Sequence, residues 1–275
     1  MAMHCSAENI VSRIKSVLFS IIAILLFFIM IFSVVLKAEV EPGIQQFIDI
    51  FHHNKKIFTD KQWEVTEENG IITAKLTIQE PAYENFLYTI DKKNWYMNIV
   101  NTTDSDMYSI DLGMYFRKDK TPIVAASRIK ECYGPYCGES GIVFYEYRCQ
   151  GKGKGENCQF KNVTKELFPS VGIWDFLNTS PEAKKLLPGA EELKSSLHVK
   201  YIIPRVGTTI TAVPWLDGDI FFAGIKEEGK IFDPDKMLNI IFKTTAIKFN
   251  WVKNTEKFNR GESIKDLTTI QIYGK

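Results

Sequence analysis

The sequence predicts a mainly β fold, with α+β as the alternative, behind a single N-terminal transmembrane helix. Three observations carry that reading. Residues 17–36 form an apolar run broken only by Ser20 and Ser33. Several later segments alternate apolar and polar residues with the period of two that marks a half-buried strand. Four of the five cysteines, Cys132, Cys137, Cys149 and Cys158, fall together in the C-terminal portion.

About 20 residues at a rise of about 1.5 Å reach roughly 30 Å, the thickness of a bilayer core. Transfer of so many Val, Leu, Ile and Phe side chains favours insertion by about 5–10 kcal/mol. Arg13 and Lys15 precede the run, whereas Lys37, Glu39 and Glu41 follow it. The positive flank predicts a cytoplasmic tail over 1–16, a signal anchor over 17–36, and an extracytoplasmic remainder. The rival is a long signal peptide cut near Ala38, which leaves a secreted or periplasmic protein. Leu36 at the −3 position disfavours it.

Lys plus Arg total 34 and Asp plus Glu 33, so no charge surplus exists to attract nucleic acid. Aromatics make up 13 %, which excludes a disordered chain. An even set of cysteines outside the cytoplasm predicts two disulfides. The preferred pairs are Cys132–Cys137 and Cys149–Cys158, each bracketing a turn-rich stretch. A four-thiolate zinc site fits poorly, because only the first pair has ligand spacing. No metal or cofactor is expected.

The elements follow in order. Pro42–Phe58 contains an amphipathic helix, with Ile44, Phe47, Ile48 and Phe51 at i, i+3, i+4 and i+7. His52 and His53 lie near its end and diverge too far to share a metal. Trp63–Val65 and Ile72–Ile78 flank Asn69-Gly70, a hairpin signal. Phe86, Tyr88 and Ile90 are expected to face Trp95, Met97 and Ile99 across residues 91–94. Tyr108–Phe116, Ile123–Ile129 and Ile142–Cys149 continue a meandering antiparallel sheet. These make a β-rich region over 39–164.

Between 165 and 197 the period breaks, and a helical insertion or linker is expected. Ser180-Pro181 marks one helix start and Ala190–Ser196 a further turn. A second β-rich portion spans 198–275, packed with the first or separate. Its expected strands are His198–Ile203, Thr208–Trp215, Ile220–Ile225, Ala246–Val252 and Thr268–Tyr273. Asp233-Pro234 caps a helix start. Residues 237–242 fit a helix or a buried strand.

Candidate chemistry is sparse. Gly151–Gly155 offers amides and two lysines but lacks the phosphate-loop pattern. Asp104/Asp106, Asp217/Asp219 and Asp233/Asp235 read as turns and caps rather than calcium ligands. His198 beside Ser195 and Ser196 permits a base–nucleophile pair, but no elbow motif accompanies it. Tyr133, Tyr136, Tyr145 and Tyr147 crowd the cysteines and make the candidate binding surface for a protein partner. The functional expectation is a membrane-anchored, non-catalytic binding or assembly module of the cell envelope. The alternatives are an envelope hydrolase with an unrecognised site and a structural subunit of a membrane complex.

Overall fold

The computed structural model describes residues 43–59, 62–77, 85–102, 106–132, 138–150, 157–223 and 233–273. Eight antiparallel strands form one sheet in strict chain order: β1 (Trp63–Glu68), β2 (Ile71–Leu76), β3 (Asn85–Asp91), β4 (Tyr96–Thr102), β5 (Asp106–Phe116), β6 (Pro122–Cys132), β7 (Gly138–Gln150) and β8 (Asn157–Asn162). The Asn69-Gly70 hairpin is present, with both residues at positive φ. Its glycine tolerates that conformation without a Cβ penalty, and asparagine tolerates it better than most residues. Trp95 is not the first residue of β4. It ends the 92–95 turn in the left-handed region, φ 55°.

The sheet is covered on both faces. Helix α1 (Ile44–Phe51) lies on the face of Met97, Ile99, Ile110, Leu112 and Met114. Ile44, Phe47 and Ile48 are fully buried. A Cβ on Gly43, φ 84°, would collide with Ile99 and touch Leu112, so the helix enters very close to the strands. Tyr88 donates to Gln46 (3.2 Å), and His53 shares a 2.9 Å hydrogen bond with Tyr147.

The opposite face meets a second sheet, reached through α2 (Thr164–Leu167), a 3-10 turn at Ile173–Asp175, α3 (Pro181–Leu186) and α4 (Ala190–Ser196). Ser180 Oγ caps α3 by accepting from the Ala183 amide. The second sheet contains β9 (Leu197–Ile202), β10 (Thr209–Asp217), β11 (Ala246–Val252), β12 (Lys257–Ile264) and β13 (Gln271–Tyr273). Helix α5 (Gly218–Ala223) replaces the strand expected at 220–225, and α6 (Pro234–Ile241) resolves the 237–242 ambiguity as helix. A short apolar run fits either state by periodicity. Asp217 Oδ1, accepting from the Ile220 amide at 3.0 Å, selects the helix. Asp233 caps α6 in the same way.

One apolar core joins the two sheets: Tyr115, Ile123, Ala125 and Phe144 on the first, Ile210, Ala212, Ile247 and Phe249 on the second, Phe168 between. Pro214 sits inside β10, where a missing amide normally breaks a ladder. Here β11 pairs only with 209–212 and β13 only with 215–217, so the proline occupies the gap between two neighbours.

Cys149 and Cys158 face one another across β7 and β8 and are bonded. The partner bond expected at Cys132–Cys137 involves a residue outside the described set. Breaking Cys149–Cys158 with a double serine substitution should cost about 2–3 kcal/mol, since the loop it closes is short. Urea denaturation of parent and variant measures it.

The membrane expectation is corrected. Among the described residues no helix is long and apolar enough to cross a membrane. The run at 17–36 lies outside those residues. The membrane partner, the single-pass location and the membrane-anchored module all rested on that helix, and nothing in the described fold supports them.

Candidate functional site

Strand β9 is where the two sheets meet. It pairs with β10 through Leu197–Ile202. Pro214 opposes Val199 and cannot donate, so that pair is of the non-bonded type and the Val199 carbonyl points away from β10. Side chains of the first sheet satisfy that outer edge. Ser140 Oγ donates to Val199 O (2.7 Å) and Ser127 Oγ to Tyr201 O (2.5 Å). Gly113 provides the room: a Cβ there would lie 2.7 Å from Ile203 Cγ2. β9 thus stands edge-on over the first sheet and separates two environments.

On one side lies a cleft of about 700 Å³, walled by Ile142, Phe168, Val171, Leu197, Val199 and Tyr201. Its rim holds Ser140, Thr164, Lys165 and His198. Most of the rim polar groups are already engaged. Thr164 Oγ1 accepts from the Phe144 amide at 2.8 Å. His198 Nε2 contacts the Ser195 carbonyl at 3.1 Å, and burial holds its pKa below the ordinary value, so the ring is neutral. Ser195 Oγ donates to Glu191 O instead (3.1 Å). Ser196 is fully buried. The Ser–His pair considered from sequence is not assembled.

The other side is polar. Asp111 Oδ1 accepts from Tyr96 Oη (2.6 Å) and Asn98 Nδ2 (2.9 Å). Asn98 also reaches Ser109 Oγ at 3.3 Å. Lys200 Nζ donates to Gln271 Oε1 (2.6 Å) and interacts electrostatically with Asp111 and Glu131. All of these residues are half-buried. Burial raises the Asp111 pKa, against the lowering pull of Tyr96, Asn98 and Lys200. Burial also raises Glu131 and lowers Lys200. Tyr96 is raised by burial and by the Asp111 charge. Each shift moves its group toward the neutral form, the desolvation signature.

The tyrosine surface expected from sequence takes another form. Tyr145 and Tyr147 are 4 % and 3 % exposed and pack on Phe160, with Tyr147 also against His52 and His53. Tyr133 and Tyr136 lie outside the described residues, as does Gly151–Gly155. Among the described residues no group of three or more His, Cys, Asp or Glu is placed to hold a metal ion.

The polar cluster was missed because Asn98, Ser109 and Asp111 occupy the polar positions of alternating strands, which read as a solvated face. A signal existed. Gly113, Ala125 and Ser127 share those positions, and a solvated face does not call for residues so small. Their size marks a close approach of another element.

No protein-family model matches the chain, and no curated protein matches it. Among solved structures, it is similar to a domain of an uncharacterized protein from Porphyromonas gingivalis W83. The TM-score is 0.43 at 12 % identity, over 70 % of this chain and 81 % of that one.

Proposed function

We propose that the polar side of β9 is an acid–base site and that the chain is a hydrolase acting on a small polar ester or amide. The observation that supports this is that half-buried Lys200 and Asp111 interact electrostatically, each shifted toward its neutral form, while Tyr96 donates to Asp111. Groups shifted in these directions suit proton transfer. Lys200, oriented by Gln271, takes a proton from water as the oxygen attacks the carbonyl. Asp111 gives its proton to the leaving group. Oδ2 is the atom to carry that proton, because Oδ1 accepts both hydrogen bonds. The Lys200 ammonium then returns a proton to Asp111.

Turnover of a panel of chromogenic esters and amides tests this. Lys200→Met should abolish the turnover shown by the parent while leaving the melting temperature unchanged or higher. Equal turnover in the variant, or none of the panel cleaved by the parent, sinks the reading.

The linkage has a definite sign. Asp111 has a folded pKa above its unfolded value, so its ionisation weakens the fold. Asp111→Asn should melt higher than the parent at pH 7, and the difference should vanish below about pH 4, where the carboxyl is neutral in both states. Differential scanning calorimetry across that range measures it.

A further inference from the structure

A separate surface lies at the end of the first sheet where the β3–β4 and β5–β6 hairpins turn. Antiparallel order places these two turns side by side. The Met114 amide bonding Trp95 O at 3.1 Å ties them together. Trp95 and Phe116 meet edge to face, ring centroids 5.3 Å apart, and Phe51 of α1 stacks on Trp95 at 5.9 Å. Both Trp95 and Phe116 remain 36 % exposed. Lys92 and Lys93 lie in the first of these turns, and Lys118 and Lys120, with Asp119 between them, in the second, all exposed.

Trp95 and Lys120 both sit at positive φ, 55° and 68°. A bulky residue there is costly, and glycine or asparagine is the ordinary occupant. Glu256 shares the conformation, φ 53°, and its role is visible: it accepts from the Lys118 amide and pairs with Arg117. Trp95 has no comparable polar role, and a third of it faces water. Backbone strain that presents an exposed aromatic side chain is spent on recognition rather than on the core.

We propose that this tip binds an acidic glycan, a polymer of uronic acid units. Aromatic faces accept the apolar C–H faces of sugar rings, and four ammonium groups complement the carboxylates. One observation favours a glycan over a nucleic acid. The Cys149–Cys158 disulfide belongs to an oxidising compartment, where acidic glycans rather than nucleic acids are the ordinary polyanions.

The test is titration of the full chain with polygalacturonate oligomers, with dextran and an oligothymidylate of matched length as controls. Polygalacturonate should bind, with affinity falling as salt rises. Trp95→Gly should weaken binding at least tenfold; because glycine relieves the strain that alanine keeps, it should melt higher than Trp95→Ala, which loses the same contacts with Phe51 and Phe116. The Lys92→Glu/Lys93→Glu pair, on an exposed turn, should weaken it at least tenfold at unchanged melting temperature. Absence of binding, binding undiminished in either variant, or equal binding of dextran or oligothymidylate overturns the proposal. A Trp95→Gly variant that melts no higher than Trp95→Ala overturns the role given to the strain.

Discussion

Replacing Arg117 with methionine should destabilise the protein by about 3–5 kcal/mol, because it leaves a buried carboxylate without its partner. Arg117 Nε lies 2.5 Å from Glu146 Oε2, and its two Nη atoms reach Glu166 at 2.8 Å and Glu256 at 3.4 Å. One guanidinium therefore fastens β7, α2 and the β11–β12 turn to the end of β5. The Glu146 side chain is 4 % exposed. Arg148 also pairs with it, but that side chain is 60 % exposed and screened. Burial alone would raise the Glu146 pKa. The bonds from Arg148 and Arg117 outweigh it, and the net direction is down. The contribution is thus present above the ordinary carboxylate range and is lost as pH falls through the depressed value. Urea midpoints at pH 7 and pH 3 separate the two regimes. The deficit of the variant should be large at pH 7 and smaller at pH 3, since it shrinks as pH falls and Glu146 takes up a proton. Adding Glu146→Leu should recover most of the loss at pH 7, since no stranded charge remains.

Phe168→Ala should cost a similar amount, about 3–5 kcal/mol, by opening a cavity between the sheets. Its ring lies 5.2 Å from Phe144 on the first sheet, 4.7 Å from Phe249 and 5.4 Å from Phe258 on the second, and 5.8 Å from Tyr201 on β9. The side chain is held by both layers and belongs to neither. Loss of near-ultraviolet circular dichroism at lower urea than in the parent, with an unchanged slope, is the expected result. Phe168→Leu should recover more than half of the loss, because it keeps most of the apolar volume.

The meander of β1–β7 was legible because its strands alternate and turns such as Asn69-Gly70 carry their own chemistry, whereas β8 (Asn157–Asn162) was not among the expected strands. The helix starts at Ser180-Pro181 and Asp233-Pro234 were legible, whereas Asp217 read as a turn. The helix at 218–223 was not, since four apolar residues within six satisfy either period. The polar cluster was hidden for a different reason. Tyr96, Asp111 and Lys200 are far apart in sequence, and only the placement of β9 over the first sheet unites them. The strain at Trp95 was invisible too, because an aromatic residue beside a turn reads as the start of the next strand.

Pro214 has a consequence for how the second sheet assembles. A strand bordered on one edge by two different neighbours is open to slippage, because either neighbour can advance into the space of the other. Proline denies both of them a donor at that point. If β11 advanced by two residues, or β13 retreated by the same step, an acceptor would be left facing a ring with no hydrogen to offer. The missing amide therefore works as a spacer between two ladders, and it fixes where the last strand of the chain docks without contributing a single bond to it.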